Sequence, residues 1–214
     1  MLMDFELGDE FERLSGQLTF IVEIDKLKNV LRKTFLIDRS RHENTAEHSW
    51  HVSVMAMLLL EHANEGTIDL NRTIRMLLLH DIVEIDAGDT FAYDVQGYTD
   101  KDEREKAAAN RLFGLLPEDQ KSEWIALWQE FEEGSSPEAV YAAALDRLQP
   151  VIHNYYTGGV SWRANGIVRS QVLKRLAPVR EASDKLWAFA QIIIQKSIDQ
   201  GLLQDDPVAS HDKN

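Results

Sequence analysis

The stretch Leu77-Leu78-Leu79-His80-Asp81-Ile82-Val83-Glu84-Ile85-Asp86-Ala87-Gly88-Asp89 sets a vicinal His-Asp pair inside a solidly apolar run. Polar groups in such a setting are costly unless a partner compensates them. An imidazole beside a carboxylate is a good donor pair for a divalent metal ion. Glu84 lies one helical turn past His80 and faces the same way. Gly88 then ends the helix and lets the chain carry Asp89 back toward that face.

Two other segments carry similar chemistry. In Tyr141-Ala142-Ala143-Ala144-Leu145-Asp146-Arg147-Leu148-Gln149-Pro150 a lone acid sits among small apolar residues that let other helices approach closely. The ordinary fate of such an acid is an ion pair with Arg147 or with a base on another helix. His153 falls two turns beyond Asp146 on the same face. In Glu43-Asn44-Thr45-Ala46-Glu47-His48-Ser49-Trp50-His51, His48 lies in a first helical turn and His51 follows three residues later. A lone histidine is ordinarily a cap or a core imidazole bonded to a carbonyl, and His42, His62 and His211 keep that reading. His48 differs in its company. Helices carrying His, His-Asp and Asp can meet in one core, and metal sites in helix bundles are built that way.

The elements that must position these residues read as helical almost throughout. Leu14, Leu18, Ile21, Leu27 and Leu31 recur at helical spacing and predict a first amphipathic helix over roughly residues 10 to 33. A polar connector, Asp38 to Asn44, follows. Thr45 is the expected N-cap of a second helix through about Ala63. Asn71 or Asp69 starts the central helix, expected to end near Gly88. Asp100-Lys101-Asp102-Glu103 has capping-box spacing and opens a helix toward Leu116. Pro117 and Ser136-Pro137 begin two more. A last long helix is expected from about Val179 to Ile198, closed by Gly201, with Asp205 to Asn214 a frayed tail. No repeat, linker or useful strand alternation is evident.

A chain of 214 residues without cysteine reads as one compact domain, residues 1–204, in a reducing compartment. The acidic first ten residues lack the basic-then-apolar order of a signal peptide, and runs such as Met55 to Leu60 fall far short of the roughly 20 residues of a membrane span. The expectation is a cytoplasmic protein without a membrane partner. A formal charge of −13 argues against a nucleic-acid polymer as partner. A small anionic substrate stays open, since a metal and a few bases can reverse the local field.

His48, then His80-Asp81, then Asp146 in a helical chain resemble the H…HD…D signature of the HD-domain metal-dependent phosphohydrolases. The flanks Glu43-Asn44-Thr45-Ala46-Glu47-His48-Ser49, His80-Asp81-Ile82-Val83-Glu84 with Gly88-Asp89, and Leu145-Asp146-Arg147-Leu148 resemble the branch that includes bacterial 5′-deoxynucleotidases. The likeness covers roughly residues 14 to 160. It implies an all-α HD-domain bundle with one divalent ion (Mn, Fe, Co, Ni, Zn or Mg) held by His48, His80, Asp81 and Asp146. Glu84 would be the general acid/base and Asp89 a second acid that orients the nucleophile or substrate. A water activated by the metal would attack the phosphorus of a nucleoside 5′-monophosphate. Alternatives are a deoxynucleoside-triphosphate hydrolase and a nucleotide sensor without turnover. Lys33, Arg39 and Arg41, ahead of His48, are candidate phosphate contacts, and His153 a further candidate substrate contact. Family likeness, together with Trp124, Trp128 and Trp187 beyond the needs of one small core, suggests a homodimer.

Two departures bear on specificity. The deoxynucleotidases use an Arg-Trp pair before the first metal histidine to read the sugar, and an ungapped count back from His48 finds Lys33-Thr34 there. That would remove a planar donor and an aromatic wall. Two-metal HD phosphodiesterases carry extra histidines between the HD pair and the last Asp. None occurs here between His80 and His153, so a second histidine-rich metal site is expected to lack ligands, which disfavours cyclic-nucleotide substrates.

Overall fold

A computed structural model describes residues 9–64 and 66–207. The N-terminal acidic residues before Asp9 and the tail from Val208 lie outside the described residues. Helix α1 spans Glu12–Ile24 and passes into a 3-10 turn at Asp25–Asn29. The expected first helix therefore ends well before residue 33. The chain instead forms β1, Leu31–Phe35, which pairs antiparallel with β2, His42–Asn44. Asp38 makes the turn between them, its side chain accepting from the Ser40 amide at 2.9 Å, and Arg39 takes φ +62°. Leu31 faces Asn44 and Phe35 faces His42, with an irregular register between. A bulge of that kind re-aims side chains, and here Arg32 turns inward.

Helix α2, Thr45–Leu59, begins one residue earlier than expected: Asn44 is the N-cap, its side chain accepting from the Glu47 amide in a capping box. Thr45 is thereby free for the site. Helix α3, Leu70–Leu79, starts at the Asp69 cap. The central helix does not run unbroken to Gly88. It tightens after Leu79, with amide bonds from Ile82 to Leu79 and from Glu84 to Asp81, before the short α4, Glu84–Ala87. Three residues per turn eclipse positions i and i+3, which aligns Asp81 with Glu84.

Helices α5, Lys101–Phe113, and α6, Glu118–Glu133, follow. Asp100 occupies the cap position of α5 but bonds Arg104 instead of an amide. Helix α7, Pro137–Tyr156, starts at the Ser136 cap and runs through Pro150. It packs against α2, α3 and α6. Buried Ala142, Ala143 and Ala144 permit that close approach. Short helices α8, Val160–Ala164, and α9, Arg169–Arg175, come next. The expected last helix is two, α10, Ala177–Ala182, and α11, Asp184–Asp199, because the extended Ser183 between them caps the second. α7 also packs on both. The chain past Gly201 is not frayed through residue 207. Gln204 bridges Val168, and Asp206 accepts from the Ser170 hydroxyl.

The tryptophans expected on an interface are internal. Trp128 is 4% exposed, and Trp124 packs edge-on to Phe20 at 5.2 Å; Trp187 is half-buried against the same core. No helix among the described residues is long and apolar enough to cross a membrane.

Helix α7 ends on two left-handed glycines, and Gly159 carries the tighter constraint. Its φ is +67°, and an added Cβ would fall 2.1 Å from the Leu202 backbone carbonyl. Gly159→Ala is expected to destabilise the fold by about 2–3 kcal/mol, measured by urea unfolding. An unchanged midpoint would mean that the segment after α11 does not pack there.

Candidate metal centre

Three elements meet at the site: the first turn of α2 brings His48, the tightened turn after α3 brings His80 and Asp81, and the middle of α7 brings Asp146. His48 Nε2 lies 2.9 Å from Asp146 Oδ1 and 4.0 Å from Asp81 Oδ2. His80 Nε2 lies 3.1 Å from Asp81 Oδ2 and 3.8 Å from Asp146 Oδ1. His80 Nδ1 is 2.9 Å from the Leu77 carbonyl, which can only accept, so Nδ1 donates and Nε2 is turned to the cluster. That buried Nε2 makes no well-aligned hydrogen bond, although Asp81 Oδ2 stands 3.1 Å away. Candidate ligand atoms of His48, His80 and Asp146 lie within 4.8 Å of one another.

Glu84 and Asp89 border the same space. The Thr45 hydroxyl donates to Glu84 Oε2 at 2.9 Å. Burial, reinforced by the nearby Asp81 charge, holds the Glu84 carboxyl well above the usual carboxylate range. Burial also raises Asp89, against the pull of Arg32. The loop bearing Asp89 is pinned by Arg104, which donates to the carbonyls of Ala87 and Gly97. Asp81 and Asp146 move the other way: burial opposes their ionisation, but His80 and Arg32 around Asp81, and Arg147 and His48 around Asp146, keep both ionised.

Arg32 is the residue that sequence reasoning missed. Its Nη1 donates to Asp81 Oδ2 at 2.9 Å, and it lies 3.9 Å from both Asp89 and Asp146. Reading the chain as helix to about residue 33 concealed it. The available signal was the β-branched and aromatic run Val30 to Ile37. A planar guanidinium thus enters the cavity at Arg32, one residue before Lys33-Thr34. Of the suggested phosphate contacts, Lys33 lines the cavity. Arg41 instead forks onto Glu47 on the outer surface, and the Arg39 guanidinium lies beside Gly158. His153 lies behind His48, outside the cavity lining.

The cavity holds about 250 Å³. Asp81, Glu84, Asp89 and Asp146 form one side, and Tyr93, Trp162, Arg147 and Arg175 line the remainder. Arg32 on Asp81 and Arg147 on Asp146 offset only two of those four carboxyls. Two imidazoles, an excess of buried acid and an Nε2 without a well-aligned hydrogen bond fit a divalent ion of intermediate softness. In the metal-free state burial opposes charging of His80, but Asp81 and Asp146 prevail and raise its pKa well above the usual value. The ion must displace that proton. Affinity is therefore expected to rise with pH through neutrality, with proton release visible by titration calorimetry in buffers of different ionisation enthalpy. Proton-independent binding would mean that His80 is not a ligand.

An HD domain family model matches residues 24–187. A crystal structure described as a predicted metal-dependent phosphohydrolase from Magnetospirillum magnetotacticum superimposes with a TM-score of 0.87 at 50% identity, covering 92% of this chain and 98% of that one. The 5′-deoxynucleotidase HDDC2 of Mus musculus is 31% identical over 139 residues, 64% of this chain and 68% of its own length. The Homo sapiens protein of that name is 31% identical over 136 residues, 63% of this chain and 65% of its own length. The chain thus spans about two thirds of the length of these relatives. With the matched region enclosing every residue of the centre from Arg32 to Asp146, this chain belongs to the HD domain family.

Proposed function

We propose that this chain is a metal-dependent phosphohydrolase that converts a nucleoside 5′-monophosphate to nucleoside and phosphate. The observation that carries this reading is the juxtaposition, in one cavity, of a donor set for a divalent ion with a buried carboxyl whose pKa is raised. His48, His80, Asp81 and Asp146 would hold the ion. When bound, a divalent ion supplies positive charge to the phosphate and lowers the pKa of a water.

The remaining work falls to side chains. Burial shifts the Glu84 carboxyl toward its protonated form, and the Thr45 hydroxyl donates to its Oε2. It can give a proton to the leaving 5′-oxygen as the P–O bond breaks, and regain one from the attacking water. Asp89, on the pinned loop, accepts a hydrogen bond that orients the water or the substrate. Arg32 and Lys33 supply donors to the phosphate, and Tyr93 and Trp162 offer apolar walls to the nucleoside. The names of the 5′-deoxynucleotidase relatives support a nucleotide substrate. A volume near the lower end of the usual ~300–1,000 Å³ range for ligand sites supports a monophosphate over a triphosphate. A cytoplasmic location is supported by the absence of cysteine. A homodimer is supported by exposed Trp50, Met57 and Leu58 on α2 rather than by the internal tryptophans.

The test is phosphate release from ribo- and deoxyribonucleoside 5′-mono- and triphosphates, with chelated protein reloaded separately with Mn, Co, Ni, Zn or Mg. Metal-dependent release from monophosphates is expected. Nucleotide binding without release under any metal would favour the sensor reading. Glu84→Gln is expected to keep the metal and lower kcat by about 10²–10⁴-fold. Loss of the metal in that variant would make Glu84 a ligand rather than a proton carrier.

A further inference from the structure

Behind His48, away from the cavity, a second set of donor groups converges. Glu43 lies on β2, His51 lies one turn after His48 on α2, and His153 lies two turns after Asp146 on α7. One potential ligand atom from each lies within 4.8 Å of the others. Glu43 is 1% exposed and His153 3%, whereas His51 is half-buried and leaves a path from solvent.

The hydrogen bonding among these groups does not close. The fully buried Gln149 stands in their midst, its Nε2 at 2.7 Å from Glu43 Oε1, 3.1 Å from His153 Nε2 and 3.4 Å from His51 Nδ1. An amide nitrogen has two hydrogens, and three acceptors face it. Its other end fails in the opposite sense, because Gln149 Oε1 is buried without a partner. Turning the amide over would only exchange one fault for another, leaving Glu43 opposite an oxygen. His153 Nδ1 faces the Phe35 carbonyl at 3.2 Å, so it carries the hydrogen and Nε2 offers a lone pair inward. Burial lowers the pKa of both His51 and His153. A neutral imidazole keeps one ring nitrogen with a free lone pair that can ligate a cation.

A cation resolves the excess of lone pairs that faces Gln149 Nε2. It accepts from the lone pairs of Glu43, His51 and His153, and a turned Gln149 brings its stranded oxygen to the same point. We propose that Glu43, His51, His153 and the Gln149 carbonyl form a second cation site, for a borderline divalent ion such as Zn²⁺ or Co²⁺. Two imidazoles, one carboxylate and one amide oxygen suit four-coordinate zinc. The site ties the β-hairpin to α2 and α7. It also reaches the first centre, since Glu43 Oε2 lies 3.8 Å from His48 Nδ1 and accepts from the Thr34 hydroxyl. An ion held by one Glu43 oxygen would steady the other against the His48 ring, whose Nδ1 otherwise has no partner. The expected shortage of histidine ligands for a second site holds only for the interval from His80 to His153. These ligands come from its far end and from α2.

The test counts ions in the absence of substrate. Chelated full-length protein is titrated with Co²⁺ alone, read by elemental analysis after desalting and by the visible absorption of four-coordinate Co²⁺. Wild type, His51→Ala, Gln149→Glu and Asp81→Ala are compared. His51→Ala is expected to bind one equivalent fewer than wild type and to lose one component of the absorption. Asp81→Ala is expected to keep that component, which separates this site from the first. Gln149→Glu adds a charged ligand and is expected to tighten the same component at least tenfold. If His51→Ala binds as many ions as wild type with the same spectrum, or folded Gln149→Glu leaves that component no tighter, the second site does not exist. Both readouts are independent of phosphohydrolase activity.

Discussion

The structure depends on one constraint: carboxyls of Asp81, Glu84, Asp89 and Asp146 are gathered where water is largely excluded. Like charges at close range in such a place do not persist without compensation. The chain answers in two ways. It brings in the Arg32 guanidinium, which touches Asp81 and stands close to Asp89 and Asp146. It also lets the acids take different states, Asp81 and Asp146 ionised beside imidazoles, and Glu84 and Asp89 displaced toward the protonated form. Acids pushed apart in this way place ionised and more readily protonated carboxyls side by side in one cavity.

The helices surrounding the centre serve that separation. The turn after α3 tightens from α to 3-10 geometry and so stacks Asp81 above Glu84, which a regular helix would place farther round its circumference. Arg104 and Arg111 hold α4 and the loop beyond it, the first gripping the Ala87 and Gly97 carbonyls and the second pairing with Asp86. Asp89 is thereby fixed by contacts with α5 rather than by its own loop. Asp146 is fixed differently, in the middle of the long α7, where alanines let α2 and α3 approach. Rigid elements carry His48, His80 and Asp146, and a pinned loop carries Asp89.

The β-hairpin joins the two clusters. Its first strand turns Arg32 toward the cavity, and its second carries Glu43, which lies between His48 and the group formed by His51, Gln149 and His153. Thr34 and Gln149 hold opposite oxygens of that carboxylate. The stiffness of the hairpin thus bears on the orientation of a ligand histidine as well as on the neutralising arginine.

The sequence by itself determined which residues to look for at the centre. His48, His80, Asp81, Asp146, Glu84 and Asp89 stand out because ionisable residues in apolar helices are expensive and because helical periodicity says which ones share a face. The helical class and the caps at Asp69 and Ser136 were legible for the same reason: both are local. Only the tertiary structure decided what depends on contacts between distant segments. Arg32 became part of the site through a bulged strand whose pairing lies across a turn, and no helical periodicity could announce it. The tightened turn at His80 and the break at Ser183 each trade regular backbone bonds for side-chain placement. Glu43, His51, Gln149 and His153 are individually ordinary residues. They become a group only when α2, α7 and the hairpin pack, because the meeting of hydrogen-bonding groups from separate elements is set by packing geometry and leaves no periodic trace in the chain.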